Sequence, residues 1–413
     1  MKRSIFRTIS TTRSLAAPTA KSSSPLHLHT LLSHAGISPT AHSSGLSPSI
    51  DPSTTFERSP DLTFPLGHIY SRISNPTRSN LESVLSSLES STFPCQTSTF
   101  SSGMAAVNSV ITSNLALHGS CHLLIPDDCY HGVPYQLTTL FHKGSNVTWS
   151  KCDFTNYNEV VSKLKGKGPE TIVWAETPSN PLLKITDIST LKATINKISP
   201  SSILLVDMTW SPPTITKGLE EGADIVLHSC TKYFGGHSDV LMGSITTRVN
   251  TEIGDMIRIQ QGAVGGVPGA WDCWLVLRGL RSMHVRVERA CENAGRLAGW
   301  LEGREEVGKV HYPGLVTHPG HEVAKRQMEM FGGMVSFEVG GREEAVKVQA
   351  GAEVVRRATS LGGTETLIEH RESIEPEGGK VSPEGLLRVS VGIEKWEDLE
   401  RDFERMLDGI KKK

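Results

Sequence analysis

The sequence predicts an α/β protein built on a mostly parallel sheet with helices on both faces, followed by a smaller C-terminal α+β domain. Over residues 122–228, short apolar runs that suit buried strands alternate with stretches of helical spacing. This alternation indicates parallel strands joined by crossover helices, so ligands are expected outside the carboxyl ends of the strands. Beyond Trp271 the chain becomes more charged, which predicts the second domain.

Each element follows from the period of its apolar residues. Helical spacing predicts helices at residues 80–90 and 103–117, ahead of the alternating region. Within that region, strands are predicted at residues 122–125, 146–149, 171–175, 203–206 and 225–228. Helices are predicted between them at residues 135–140, 156–164, 188–195 and 217–221. A long helix over residues 271–301 then leads out of the sheet domain, followed by strands at 334–339 and 386–391 and a last helix at 396–410.

Changes in composition predict the domain boundaries. Residues 1–45 contain no Asp or Glu, and their Arg and Lys are interleaved with Ser and Thr. That composition is typical of a transit peptide or of a disordered tail, so this segment is excluded from the predicted fold and the location is expected to be cytoplasmic or mitochondrial. The other predicted parts are an N-terminal arm, a large domain, and a linking helix with the C-terminal domain, at residues 46–100, 101–280 and 281–413.

Composition also excludes several classes of protein. The 413 residues carry a net charge of -2 without a basic stripe, which argues against a nucleic-acid partner. No apolar run approaches the ~20 residues that a membrane helix needs. The 7 cysteines are scattered and form no C-x-x-C pair, and the histidines lack paired ligand spacing, so neither a disulfide framework nor a metal site is expected.

Lys232 is the first candidate for chemistry. It follows the predicted strand at 225–228 and lies close to the hydroxyls of Ser229 and Thr231, which could bind a phosphate. A lysine is rarely buried without a partner, whereas a desolvated amine has a lowered pKa and is a good nucleophile. Taken alone, Lys232 suits a surface lysine after a strand equally well.

Three other places carry groups that suit the same kind of site. Asp207 ends an apolar strand and could pair with a pyridine nitrogen, although such an Asp often caps a turn or helix instead. Gly103 and Met104 open a predicted helix whose backbone N–H groups could bind an anion. Tyr130 follows another strand and could stack on an aromatic ring, or it could be a core tyrosine.

Together these segments resemble the trans-sulfuration (Cys/Met metabolism) family of enzymes that depend on pyridoxal 5'-phosphate (PLP). The resemblance extends from about Ser47 to the C-terminus. It rests on the motifs YSRISNPTRSNLE at 70–82, ETPSNPLLKITDI at 176–188, HSCTKYFGGHSDVLMGSI at 228–245, WLVLRGLRS at 274–282, SLGGTETLI at 360–368 and LLRVSVGIE at 386–394. It implies fold type I of the PLP-dependent transferases and PLP as the cofactor.

The resemblance implies a role for each candidate residue in cofactor binding. Lys232 would hold PLP as a Schiff base and carry protons, Asp207 would pair with the pyridinium, and Tyr130 would stack on the ring and act on the amine or the leaving group. The residues expected to hold the phosphate are Gly103, Met104, Ser229 and Thr231.

The resemblance also implies contacts with the substrate and with a second subunit. Arg388 would bind the α-carboxylate of the substrate through its planar fork, beside the loop that contains Ser360. Tyr70 and Arg72 would reach the phosphate in the neighbouring subunit. The active site would therefore need a homodimer at least, and the family is usually tetrameric.

The residues on the substrate side favour one reaction of the family. Relatives that recognise a distal charge or perform γ-chemistry carry charged residues at positions occupied here by Ile69, Tyr135 and Thr359. Met208 and Trp210 are expected to make the pocket wall more apolar than in those relatives. An unpaired distal charge would weaken recognition, so the pattern favours a carbon–sulfur lyase of the cystathionine β-lyase kind.

In that β-elimination Lys232 would remove the Cα proton, a thiol would leave, and the remainder would yield pyruvate and ammonia. The alternatives are the γ-replacement of a cystathionine γ-synthase and the γ-elimination of a γ-lyase. A further alternative is a non-catalytic relative that keeps the fold as a binding protein.

Overall fold

The computed structural model describes residues 26–37, 45–141, 144–375 and 382–411. The larger of its two sheets has seven strands: Cys95–Phe100 (β1), Cys121–Pro126 (β2), Val147–Cys152 (β3), Thr171–Glu176 (β4), Ile203–Asp207 (β5), Ile225–Ser229 (β6) and Gly243–Arg248 (β7). Their order is β1-β7-β6-β5-β4-β2-β3. Strands β2 to β6 pair in parallel, whereas β7 is antiparallel to both of its neighbours. The predicted sheet, mostly parallel, is confirmed.

Helices occupy both faces of this sheet because alternate residues of each strand point to opposite sides. Leu205 packs in one apolar layer, whereas Leu204 and Val206 pack in the other. The helices of the first layer are Gly103–His118 (α3), Gly132–Leu140 (α4) and Glu252–Val264 (α7). Those of the second are Tyr157–Leu164 (α5) and Ile188–Ile198 (α6).

A third apolar cluster joins the N-terminal segment to the helices that leave the large sheet. It contains residues of Leu28–Ser33 (α1), Pro76–Glu89 (α2), Ala270–Leu280 (α8) and Met283–Glu302 (α9). Within it Leu32 is completely buried. The exclusion of residues 1–45 from the fold is therefore wrong for residues 26–37, while residues 1–25 and 38–44 lie outside the described chain.

The second sheet is formed by the C-terminal part of the chain. Its strands are Lys309–His311 (β8), Met334–Glu338 (β9), Arg356–Arg357 (β10), Leu367–His370 (β11) and Leu386–Ser390 (β12). They lie in the order β10-β11-β12-β9-β8, and every pair except β10–β11 is antiparallel. The remaining helices are His321–Gln327 (α10), Arg342–Ala350 (α11) and Trp396–Asp408 (α12).

One face of the second sheet is apolar and the other is polar. Leu387 and Val389 pack with α9, α11 and α12 in a separate core. Arg388 lies between them and points to the opposite face, as the alternation of a strand requires. On that face the hydroxyl of Ser336 donates a hydrogen bond to Pro181 O at 2.8 Å, so the polar face is turned toward the large sheet.

Two predicted elements differ from the structure. The long helix over 271–301 is two helices, because α8 ends at Leu280 and α9 begins at Met283. The helix predicted at 217–221 is a series of turns. Gly222 adopts φ 114° there, and a Cβ at Gly218 would lie 2.7 Å from Val226 Cγ2, so this segment is bound closely to the sheet. Within the described residues, no helix is both long and apolar enough to cross a membrane.

Candidate active site

A cavity of about 460 Å³ lies at the carboxyl ends of β4, β5 and β6. Parallel strands commonly bind ligands at this edge. The polar face of the second sheet supplies the opposite wall through Arg388. The structure brings most of the residues predicted from the sequence to this cavity: Gly103, Met104, Tyr130, Asp207, Ser229, Thr231, Lys232, Ser360 and Arg388.

Lys232 lies three residues beyond the end of β6, on the floor of the cavity. Its Nζ donates a hydrogen bond to Ser360 Oγ at 2.8 Å. Burial, and then the charge of Arg388, lower the pKa of Lys232 to about 8, against the opposing influence of Glu369. Roughly a tenth of such an amine is neutral at pH 7, compared with a negligible fraction for an exposed lysine. Lys232 can therefore act as a nucleophile and as a base.

Two buried carboxyl groups end neighbouring strands beneath the cavity. Glu176 and Asp207 are paired in the register of β4 and β5. Asp207 accepts a hydrogen bond from Thr209 N–H at 2.9 Å. Burial raises the pKa of Asp207, while burial and the proximity of Asp207 raise that of Glu176 well above its usual value. A pyridinium N–H would give Asp207 a positive partner that stabilises its charged form, so this arrangement fits the PLP ring.

The beginning of α3 provides an anion site next to β6. The side chain of Ser102 caps the helix by accepting a hydrogen bond from Ala105 N–H at 3.0 Å. The N–H groups of the first helical turn have no partner within the helix and attract a phosphate. A Cβ at Gly103 would lie 3.3 Å from Ser229 Cβ, so the helix approaches the strand closely. Thr231 accepts a hydrogen bond from Met242 N–H at 3.0 Å, which fixes its hydroxyl.

Tyr130 forms part of the cavity wall, and its backbone is hydrogen-bonded to Glu176. Its N–H donates a hydrogen bond to Glu176 Oε2 at 2.9 Å, and its side chain is 40% exposed. Burial raises the pKa of Tyr130, although Arg371 opposes that shift. The phenol is consequently protonated at neutral pH. Gly132 leaves room for the ring, because a Cβ at that position would overlap the phenol.

Arg388 is buried and is already anchored at both of its terminal nitrogens. Its Nη1 donates to Asn180 Oδ1 at 3.0 Å, and its Nη2 donates to Ser360 O at 3.1 Å. Glu369 Oε1 lies 2.6 Å from the same Nη2. Burial lowers the pKa of Arg388 to about 10, so it stays charged at neutral pH. These contacts fix the orientation of the guanidinium on the cavity wall.

Several cavity residues were not predicted from the sequence. They include Glu176, Asn180, Thr209, Glu369 and Arg371. Glu176 could have been predicted from the sequence, because it directly follows the strand predicted at 171–175, as Asp207 follows the strand predicted at 203–206. Glu369 faces Arg388 across β11 and β12, and this pairing depends on a register that no local pattern specifies.

Tyr70 and Arg72 are placed outside the cavity of their own chain. The two side chains contact each other, with the Arg72 guanidinium 5.9 Å from the centre of the Tyr70 ring. Arg72 also donates a hydrogen bond to Gly262 O. Tyr70 is 45% exposed.

The residues whose uncharged or apolar side chains favour β-elimination lie in different parts of the structure. Thr359 and Trp210 lie on the cavity wall, and the Arg388 guanidinium is 5.6 Å from the Trp210 ring. Ile69 and Tyr135 are exposed and lie away from this wall in the single chain. The expectation that Met208 lines the pocket is wrong, because its side chain is completely buried in the core between the sheet and its helices.

No group of three or more His, Cys, Asp or Glu side chains suitable for a metal ion occurs within the described part of the chain. The site offers instead a nucleophilic amine, a buried carboxyl group in the same cavity, and a helix N-terminus for a phosphate. This combination and the fold define a PLP-dependent enzyme.

Comparison with known proteins identifies the family. The model of the Cys/Met metabolism PLP-dependent enzyme family matches residues 29–408, and the chain belongs to that family. The cofactor and the enzymatic class predicted from the sequence are thereby confirmed, and the non-catalytic alternative is set aside. The substrate is a small amino acid of cysteine and methionine metabolism.

Similar proteins carry different activities. The chain is 37% identical to a cystathionine beta-lyase of Coxiella burnetii over 94% of this chain and 100% of that protein. It is 38% identical to a cystathionine gamma-synthase of Mycobacterium bovis over 91% and 95%. A crystal structure of cystathionine gamma synthase from Xanthomonas oryzae pv. oryzae in complex with cystathionine aligns with TM-score 0.86 and 35% identity, covering 94% and 99%. Because the chain is about equally identical to relatives with different activities, these identities do not indicate which reaction it catalyses.

Proposed function

We propose that the protein is a carbon–sulfur lyase that performs β-elimination on cystathionine or a related sulfur amino acid. The proposal rests on the position of the Lys232 amine. It lies in the cavity, donates a hydrogen bond to Ser360 Oγ, and has a pKa lowered to about 8. There it can reach the Cα proton of an amino acid whose carboxylate binds Arg388. When bound, PLP serves as an electron sink for the negative charge that develops at Cα.

We assign the proton transfers to Lys232. Its neutral amine accepts the Cα proton, and the Cβ–S bond breaks with the electron pair remaining on sulfur. The Lys232 ammonium then protonates the sulfur, which leaves as a thiol, and the unsaturated remainder hydrolyses to pyruvate and ammonia. Tyr130 is protonated at neutral pH and can donate a hydrogen bond to the departing sulfur.

We assign the cofactor contacts as the resemblance implies. Asp207 would bind the pyridinium, and Tyr130 would cover the ring. The phosphate would lie at the N-terminus of α3 and beside β6, in contact with Gly103, Met104, Ser229 and Thr231. The proximity of Gly103 to Ser229 supports this assignment, because it brings the helix N-terminus and the hydroxyl to the same place.

The choice of β-elimination is supported by the cavity wall. Thr359 is uncharged where a glutamate is common among relatives that perform γ-chemistry, and it contributes to the wall. γ-Replacement is the second candidate. It stays open because Ile69 and Tyr135 do not line the cavity of the single chain, so their uncharged side chains do not exclude it.

Two incubations separate these reactions. The purified enzyme loaded with PLP is incubated with cystathionine, and separately with cysteine plus an O-acylated homoserine. β-Elimination yields pyruvate and homocysteine in equal amounts from the first mixture. Cystathionine from the second mixture, without pyruvate from the first, would establish γ-replacement instead. 2-Oxobutyrate from the first mixture would indicate γ-elimination.

We also propose a homo-oligomer in which each active site uses two chains, and a tetramer as the full assembly. The exposure of Tyr70 outside its own cavity supports a shared site.

The acid-free composition of residues 1–25 leaves a cytoplasmic or a mitochondrial location open. A fusion of those residues to a fluorescent protein decides between them: import into mitochondria indicates a targeting segment, and diffuse fluorescence contradicts it.

A further inference from the structure

Two arginines share a single carboxylate on one wall of the cavity. Glu369 Oε1 is 2.8 Å from Arg371 Nη1 and 2.6 Å from Arg388 Nη2. All three side chains are at least nine-tenths buried, and all three line the cavity. Because one carboxylate cannot neutralise two guanidinium groups, the cluster has an excess positive charge. A buried excess charge is costly unless an anion compensates it.

Buried nitrogens without hydrogen-bond partners accompany this excess charge. Among the described residues, neither Arg371 Nε nor His131 Nδ1 has a partner, although both atoms are buried. Both residues line the cavity. Buried polar atoms are nearly always satisfied in folded proteins, so an unpartnered pair in a ligand cavity indicates donors that a ligand can use.

The two arginines lie side by side at Glu369 Oε1 but have different neighbours. Arg388 bonds to Ser360 O, and the hydroxyl of Ser360 accepts the hydrogen bond from Lys232, so Arg388 belongs to the end where Cα reacts. Arg371 lines the same cavity as Tyr130 and His131 and is close enough to influence the pKa of both side chains. Burial lowers the pKa of His131, and the positive charge of Arg371 is the next largest cause of that shift.

We propose that Arg371 determines specificity by binding a second anionic group, a carboxylate at the far end of the substrate side chain. The substrate would then be held at its α-carboxylate by Arg388 and at its distal carboxylate by Arg371, with His131 as an additional partner. This inference rests on the proposed function in assuming an amino acid substrate.

A purely structural role for Arg371 would be to neutralise Glu369. Arg388 already makes that ion pair at 2.6 Å, so Glu369 keeps a cationic partner when Arg371 is removed. The substitution Arg371→Gln is therefore expected to leave the protein folded. It removes the excess charge and leaves a shorter, neutral side chain that can still form hydrogen bonds.

Two ligands that differ only at the distal group test the proposal. L-2-Aminoadipate is L-norleucine with its terminal methyl replaced by a carboxylate, and neither carries a leaving group on Cβ. Equilibrium dialysis measures the affinity of both for the PLP-loaded wild type, Arg371→Gln and Arg371→Lys. The control is Arg401→Gln, because the Arg401 side chain is 74% exposed on α12.

The wild type is expected to prefer aminoadipate over norleucine by about ten- to a hundredfold, as for a hydrogen-bonded ion pair in a buried site. Arg371→Gln should lose this preference through weaker binding of aminoadipate alone, and Arg371→Lys should keep part of it. Equal weakening of both ligands would assign Arg371 a structural role and overturn the proposal, as would the absence of a preference in the wild type. Because binding requires no turnover, a preference without pyruvate formation would refute β-elimination while preserving this inference.

Discussion

At the scale of the single residue, the reactivity of Lys232 depends on its burial. An amine that must be neutral to attack PLP reacts faster as the pH rises through its pKa, which is about 8 here. The rate of PLP attachment to the apoenzyme should therefore rise about tenfold per pH unit below pH 8 and level off above it. Stopped-flow absorbance at several pH values gives this profile directly.

The variant Lys232→Ala should show no visible absorption band that borohydride bleaches and no release of pyruvate. Lys395→Ala is a suitable control, since the Lys395 side chain is 77% exposed and does not line the cavity. A profile with its midpoint near the pKa of an exposed lysine would show that the amine is not desolvated. A bleachable band in Lys232→Ala would show that another residue holds the cofactor.

The residues of the site were predictable where they follow a strand. Asp207 ends an apolar strand, and Lys232 and Tyr130 follow one at a distance of three and four residues. Parallel strands bring their carboxyl ends to one edge. Glu369 belongs to the second sheet and Arg371 follows directly after its strand β11. The packing of this sheet against the first depends on contacts distant in sequence. No local pattern indicates that Glu369 contacts Arg388, so this part of the cavity could not be predicted from the sequence.

At the scale of the element, the contact between α3 and β7 fixes the phosphate end of the site. A Cβ at Gly243 would lie 2.5 Å from Ser102 O and 2.7 Å from Gly103 Cα, and both are backbone atoms that cannot give way easily. Gly243→Ala should therefore displace the N-terminus of α3, weaken PLP binding and destabilise the fold by roughly 1–3 kcal/mol, as overpacking typically does. PLP titration and thermal unfolding measure the two effects.

A matched glycine serves as the control for that substitution. Gly299 lies within α9, and a Cβ there would meet no atom within 4 Å. Alanine is a better helix former than glycine, so Gly299→Ala should leave PLP affinity unchanged and raise the stability slightly. Equal PLP affinities for the Gly243→Ala and wild-type proteins would contradict the role assigned to this contact.

The elements themselves were predictable to different degrees. Strands β2 to β6 and their helices follow from apolar periods, because burial on both faces requires continuous apolar runs. β1 and β7 were missed because their buried residues include threonines, and Thr97 and Thr246 satisfy each other by a hydrogen bond of 2.9 Å. α1 was missed because the acid-free composition around it suggested a tail.

At the scale of the whole molecule, the positions of Tyr70 and Arg72 have a consequence for assembly. Both lie outside the cavity formed by their own chain, on a segment that precedes α2. If a second copy supplies them, each active site combines Lys232 from one chain with Arg72 from its partner. In a symmetric dimer this exchange is reciprocal, so two sites form or none do.

Subunit complementation tests this arrangement. Lys232→Ala and Arg72→Ala are each expected to be nearly inactive as homo-oligomers. When the two are unfolded together and refolded in equal amounts, mixed dimers contain one site with both residues intact, and activity should recover to about a quarter of the wild-type value. Mixing without unfolding is the control and should recover less. No recovery after refolding, with oligomers of normal size by light scattering, would show that Arg72 acts on the cavity of its own chain.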